Sequence, residues 1–264
     1  MKVTTGNPFY RERQISASLR AAVPSCVFDL DATKSASYGG SGQTWSNLVP
    51  APADGAARSD YDFYLGATNS ASSDDPAFNG TSGSPAAYFS NDGGDRFTLI
   101  GNNTNFLNNL HKTTPTTPFW IAAAFRAVDG GSRSLFATNS SGLTLPGLRV
   151  ILTSAEAVAL QQGDGTTGKT TTGNATATVG ADTLAIVAFN GTTYRYWVNS
   201  RTKTDVAYTY NTVTADANNK LALFLSAPAG ERLYAMAMGN AFIDDADAVK
   251  IINAMNARHG RVYA

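Results

Sequence analysis

Cysteine is nearly absent from these 264 residues: Cys26 stands alone, so no internal disulfide can form. Within an apolar alternation it reads as a small buried hydrophobe rather than a reactive thiol. Histidine is limited to His111 and His259, with no metal-binding spacing between them. Glutamate occurs only as Glu12, Glu156 and Glu231, no two of them near each other in sequence. Charge is low as well. Charged residues make up 15% of the chain, and 20 basic residues balance 20 acidic ones. That removes the electrostatic footprint of a nucleic-acid binder or of a protein drawn to anionic membrane. No apolar run is long enough for membrane insertion, the best being the strand-sized Phe119 to Phe125. The segment Met1 to Pro8 lacks the apolar centre of a secretory signal peptide. With the single thiol, this predicts folding in a reducing host cytoplasm.

What is present is material for a sheet protein. Hydrophobic residues account for 43% and aromatics for 10%, enough for a real core. Solubility rests on Asn, Thr, Ser and Gly, which suit exposed strand faces and turns. The stretch Val27 to Leu48 opens the folded body. Val27, Asp29 and Asp31 alternate with Phe28 and Leu30 as a first strand, which places both aspartates on a solvated outer face. A loop with Gly39, Gly40 and Gly42 follows, and Trp45 returns the chain to a strand.

Residues 1–24 differ. Arg11 to Val23 carries a loose helical pattern with Ile15, Leu19 and Val23 four apart, joined by Lys2, Arg11, Arg13 and Arg20. Pro24 ends it. This predicts an N-terminal arm, anchoring or oligomerising through Phe9, Tyr10, Arg11 and Arg13, or else a helix packed on its own domain.

Residues 25–264 read as more than a dozen short strands with turn signals between them. Thr117 to Val128 is the most apolar, with Ser132 to Thr138 pairing back across Asp129-Gly130-Gly131. The run Gly163 to Gly180 reads as a loop plus an edge strand. Leu184–Phe189 and Thr192–Asn199 flank Asn190-Gly191, a hairpin whose two central residues both accept φ > 0. The end changes character: Asp244 or Asp245 caps a helix with Val249, Ile252 and Met255 on its apolar face, and Gly260 stops it. Strand–helix alternation is absent. The expected fold is all-β, a two-sheet antiparallel sandwich with a short C-terminal helix and an N-terminal arm.

Four stretches carry a resemblance. They are Phe28-Asp29-Leu30-Asp31-Ala32 with Ser37 to Leu48; Ala87-Tyr88-Phe89-Ser90 with Gly93-Gly94-Asp95-Arg96-Phe97; Phe119 to Arg126 with Arg133 to Ala137; and Tyr196-Trp197-Val198-Asn199. In these the chain resembles the concanavalin A-like lectin/glucanase jelly rolls, particularly the LamG-like domains of phage structural proteins. Ser200 replaces the glycine usual after the last motif. The resemblance implies a jelly roll that binds glycans, attaches or decorates, sometimes with calcium in a loop.

Enzymes of that fold place paired carboxylates on one strand, as Glu-x-Asp-x-Glu, for nucleophile and general acid. The sequence offers only Asp29/Asp31 and Asp60/Asp62 at that spacing, no Gln-x-His of the lyases and no Gly-x-Ser-x-Gly elbow. His259 reads as a charge at a helix end and His111 as a loop residue. The expectation is therefore a non-enzymatic virion protein, a head fibre, decoration or tail module, with glycans and other virion proteins or its own copies as partners. The rival readings are a purely architectural virion module and a glycosidase or lyase with an Asp-based site. For glycan contacts the candidates are Tyr38, Tyr208, Tyr210, Asn102 and Asn103, aromatic faces and amides on loops; the alternative for each tyrosine is burial on a strand. Asp92 and Asp95 supply hard oxygens for calcium, the alternative being a plain Asx turn.

Overall fold

Alternating apolar residues bounded by Gly, Asn and Asp fold here into two antiparallel sheets, described by a computed structural model over residues 18–139 and 143–264. In chain order the strands are β1 (Cys26–Asp31), β2 (Thr44–Trp45), β3 (Phe63–Leu65), β4 (Ala77–Asn79), β5 (Tyr88–Ser90), β6 (Phe97–Leu99), β7 (Phe119–Arg126) and β8 (Arg133–Ala137). They continue as β9 (Gly147–Leu152), β10 (Ala157–Gly163), β11 (Lys169–Thr176), β12 (Asp182–Phe189), β13 (Thr193–Val198), β14 (Thr204–Ala207), β15 (Ala222–Leu225) and β16 (Arg232–Gly239). Two α-helices are described, the short α1 (Asn105–Asn109) and the terminal α2 (Asp245–His259).

The first sheet runs β14-β13-β12-β7-β16-β5-β4, with β1 also paired to β16; the second runs β11-β10-β9-β8-β15-β6-β3-β2. Every pairing between these strands is antiparallel, as the sequence predicts. The stretch Lys169–Thr176 is indeed an edge strand. Asp244 caps α2 by accepting from the Ala246 and Asp247 N–H groups, and Gly260 closes it at φ 60°.

Two local expectations are corrected. The strand Arg133–Ala137 does not pair back on Phe119–Arg126: β7 lies in the first sheet between β12 and β16, and β8 lies in the second. The Asp129-Gly130-Gly131 turn carries the chain from one layer to the other. An apolar strand and a turn signal are equally consistent with both paths. The Asn190-Gly191 hairpin forms, but its first paired residues are Phe189 and Tyr194, so the loop is longer than two residues. Only Gly191 takes a positive φ; Asn190 Oδ1 instead accepts from the Thr192 and Thr193 N–H groups.

Between the sheets lies the main core, with Phe28, Trp45, Phe63, Phe89, Phe97, Phe125, Phe136 and Phe189 all buried. A second apolar layer covers the outer face of the first sheet, where α2 lays Ile251, Ile252 and Met255 against Trp120, Ala122, Ala124, Ile186 and Trp197. Leu19 and Val23 join this layer, so the last residues of the predicted arm belong to the domain body. Phe9, Tyr10, Arg11 and Arg13 lie outside the described residues.

That covering layer overturns the solvated reading of Asp29 and Asp31. Both are fully buried, because α2 and the Leu19 turn close over the outer face of β1. Arg258 forks onto Asp29 with two contacts of 2.8 Å and stands 3.4 Å from Asp31. Asp29 also accepts from the Leu19 N–H, and His259 Nε2 lies 3.4 Å from Asp31. Burial pushes the Asp31 carboxyl up, but His259, Arg258 and Thr33 together hold it well below the usual carboxylate range. His259 is thus a buried partner, bonded to the Tyr263 hydroxyl at 2.7 Å, and not an exposed charge at a helix end. His111 is buried too, with Nε2 3.1 Å from the Ala215 carbonyl oxygen; burial lowers its pKa to about 4.

Candidate functional site

Helix α2 covers one outer face of the sandwich and leaves the other open. Across the second sheet a single ladder row runs through all eight strands: Thr44, Tyr64, Thr98, Ala222, Ala137, Arg149, Gln161 and Thr170. Directly paired residues share a face, and their neighbours Trp45, Phe63, Phe97, Leu223, Phe136 and Val150 point into the core. The row therefore lies on the outer surface. Its centre is the pair Ala222 and Ala137, whose methyl groups leave a depression where larger neighbours stand on either side.

That depression is a cleft of about 490 Å³, lined by Arg96, Thr98, Ala137, Asn139, Ala222 and the Asn218–Lys220 segment among others. Among the described residues the lining contains amides, the Thr98 and Ser226 hydroxyls and two cations, and no carboxylate or imidazole. The Asn218–Lys220 wall is fixed by backbone bonds, Asn218 N–H to the Pro146 carbonyl and Asn219 N–H to the Thr138 carbonyl. Arg96 is turned toward Asp74 at 3.1 Å. Beside the cleft, Arg149 donates from Nε and Nη2 to the Ser134 hydroxyl at 2.9 and 2.6 Å, and burial lowers its pKa.

One predicted contact residue belongs to this site indirectly. Asn103 donates to the Asn219 carbonyl at 2.7 Å and accepts from the Leu221 N–H at 2.8 Å, so it holds the cleft wall from behind. Asn102 is exposed beside it. The three tyrosines are corrected. Tyr38 is 4% exposed, its ring 5.0 Å from those of Phe78 and Phe89 and its hydroxyl bonded to the Gly42 carbonyl. Tyr208 and Tyr210 are buried against Phe189, so none of the three offers a ring face to a ligand. Their burial reflects the apolar space at the sandwich ends, which strand chemistry alone does not distinguish from an exposed loop.

Asp92 and Asp95 form a closed Asx turn. Asp95 Oδ2 accepts from the Asp92 N–H at 2.8 Å, Asp92 Oδ1 from the Gly94 N–H, and Asn91 Oδ1 from the Gly93 N–H. Burial, with the Asp92 carboxyl adding to it, pushes the Asp95 pKa up to about 6 against the pull of that N–H. Three side-chain oxygens, Asp95 Oδ2, Asp92 Oδ1 and Asn91 Oδ1, are taken by the turn's own N–H groups, while Asp95 Oδ1 is buried without a partner, so the geometry is that of an Asx turn and falls short of the six to eight oxygens that calcium gathers. Among the described residues no group of three or more His, Cys, Asp or Glu side chains is placed to hold a metal.

A cluster that sequence spacing could not show gathers both described glutamates. Arg133, fully buried, forks onto Glu156 at 2.8 and 2.5 Å, while its Nε lies 2.8 Å from Glu231. Burial pushes the Glu231 carboxyl up to about 7, although Arg133 opposes the rise. These carboxylates are interior and do not line the cleft.

The fold and this open polar face define a two-sheet antiparallel β-sandwich with one helix-covered and one accessible side. No family model matches the sequence, nor does any curated protein. Among solved structures, the chain is similar to Trypanosoma rangeli sialidase in complex with sialic acid, at 10% identity and a TM-score of 0.52, over 88% of this chain and 33% of that one. A mutant of the same sialidase displaying trans-sialidase activity matches at 10% identity and a TM-score of 0.51, over 94% and 37%. The Ruminococcus gnavus IT-sialidase CBM40 bound to alpha2,3 sialyllactose aligns at 13% identity and a TM-score of 0.44, over 62% and 96%. The sialidase likeness shows the sandwich fold, and the chain spans about a third of that enzyme's length.

Proposed function

We propose that the protein is a non-enzymatic, lectin-like module of a phage virion that binds host or environmental glycans in the cleft of the second sheet. The observation that carries this reading is the alanine-floored cleft itself, with its amide and cationic walls on the one sheet face that α2 leaves open. Sugar hydroxyls are recognised by such fixed amides and charged donors in a concave site. The non-catalytic part rests on the chemistry of that lining, where no carboxylate, imidazole or thiol among the described residues stands beside Lys220 and the Thr98 and Ser226 hydroxyls to activate them. Glu156 and Glu231 are spent on Arg133, as Asp29 and Asp31 are on Arg258. The virion setting, as head fibre, decoration or tail module, rests on the four resembling stretches, with the N-terminal arm as the link to other virion proteins or to further copies. A purely architectural module would present a broad apolar patch. Among the described residues the large exposed hydrophobics are just Val179 and Val262, which favours the glycan reading.

The test is a glycan array with the wild-type protein and Ala222→Phe, which fills the cleft floor. Selective binding abolished by A222F supports the proposal. Binding that survives A222F moves the site elsewhere, turnover of an oligosaccharide by the pure protein revives a glycosidase, and no binding leaves the architectural role.

A further inference from the structure

A second ladder row lies on the opposite side of the molecule, on the first sheet beyond the end of α2. Asp182, Arg126, Arg232, Ser90 and Ala77 are successive partners across β12, β7, β16, β5 and β4. Two arginines are thus directly opposed in neighbouring strands, an arrangement that costs stability because like charges stand face to face. The one carboxylate in the row does not relieve it. Asp182 accepts from the Tyr234 hydroxyl at 2.6 Å on one oxygen and from Arg261 Nε at 2.8 Å on the other. Among the described residues neither Arg126 nor Arg232 has a carboxylate within ion-pair distance; Arg232 lies over the Tyr88 ring at 4.5 Å. Arg261, itself over the Tyr234 ring at 3.9 Å, adds a third guanidinium to the corner. Three cations therefore share one carboxylate on a partly exposed surface.

We propose that the Arg126–Arg232 pair is an anion-binding site for a tetrahedral oxyanion, a sulfate or phosphate ester, with the Ser90 hydroxyl as a further polar group at its edge. Two arginines at directly paired positions on adjacent strands can turn N–H donors onto one such group from both sides, and charge-assisted bonds of this kind are the strong ones. The bound anion also removes the repulsion between the two side chains, so its binding free energy includes relief of a strain present in the free protein. Tyr88 and Tyr234 hold the neighbouring guanidiniums of Arg232 and Arg261 by their ring faces, which limits the freedom lost on binding. The site is independent of the cleft of the second sheet and stands whether or not that cleft binds sugar.

Thermal unfolding of the full chain is measured in sodium sulfate, sodium phosphate and sodium chloride at matched ionic strength, for wild type, Arg126→Gln and the exposed-surface control Lys169→Gln. Wild type and K169Q are expected to gain about 3 °C or more in sulfate or phosphate over chloride. R126Q, which removes a side chain with no hydrogen bond or ion pair among the described residues, is expected to lose the part of that gain that exceeds the general stabilisation by excluded anions, while melting no lower than wild type in chloride. Calorimetric titration with glucose 6-sulfate and glucose 6-phosphate then separates the two esters. Equal melting in all three salts, or a gain that R126Q retains in full, overturns the proposal.

Discussion

Arg258 and Asp29, 229 residues apart, meet as a two-pronged ion pair with both contacts at 2.8 Å, sealed between the first strand and the last helix. Neither charge has an alternative route to water.

Removing one partner of such a pair strands the other. Arg258→Met leaves Asp29 and Asp31 buried beside a thioether and is expected to cost about 3–5 kcal/mol. Urea denaturation reads this directly. The double variant R258M/D29N should recover part of the loss, because it removes the stranded charge on Asp29; a double variant as unstable as the sum of its singles would refute the account.

Two carboxyl groups give stability opposite dependences on pH. Asp31 is held below its unfolded value, so its contribution is present above about pH 4 and disappears as pH falls through the lower folded value. Glu231 is raised to about 7, so the folded protein keeps a proton that the unfolded chain releases above about pH 4.5. Stability is therefore expected to decline between about pH 4.5 and 7 as that proton is lost, with Asp95 at about 6 adding to the decline. Glu231→Gln should flatten this window in urea midpoints taken at pH 4.5, 6 and 7.5. An unchanged slope would mean that Glu231 does not titrate there.

Asn103 separates cleft geometry from stability. Asn103→Ala deletes one bond to the Asn219 carbonyl and one from the Leu221 N–H, for a loss of about 1–2 kcal/mol. The looser Asn218–Lys220 wall should weaken glycan binding tenfold or more at temperatures where the variant remains folded. Titration of the best array hit measures this, and unchanged affinity would remove that wall from the site.

Tyr210 is a control of the opposite kind. Its hydroxyl is buried without a hydrogen-bond partner among the described residues. Tyr210→Phe is thus expected to be neutral or slightly stabilising and to leave glycan binding untouched. A drop in affinity would return Tyr210 to the list of contacts.

The architecture was legible because it depends on local signals that tertiary packing reinforces. Asp244 and Gly260 bound the helix by capping chemistry, and the strands around Asn190-Gly191 alternate on the period of two. The positions proposed here to bind ligands carry no such signal. Ala137 and Ala222 make a cleft only because the ladder sets them side by side, and Arg126 opposes Arg232 only through a register that joins residues more than a hundred apart. Asp29 and Asp31 looked solvent-facing because an alternating strand predicts two faces and says nothing of what covers the second. The tyrosines take the buried of the two alternatives that the sequence leaves open, because an aromatic residue beside a turn has one sequence signature whether its ring is packed or offered.

Strand β1 finds its partner in β16, Cys26 opposite Gly239, and its carboxylates find theirs in the residues just beyond. Strand β1 is therefore synthesised about two hundred residues before its strand partner β16 and before Arg258, which neutralises Asp29. Until then Asp29 and Asp31 remain hydrated and keep that edge soluble. Charged side chains on a strand that still lacks its partner disfavour edge-to-edge pairing with other chains.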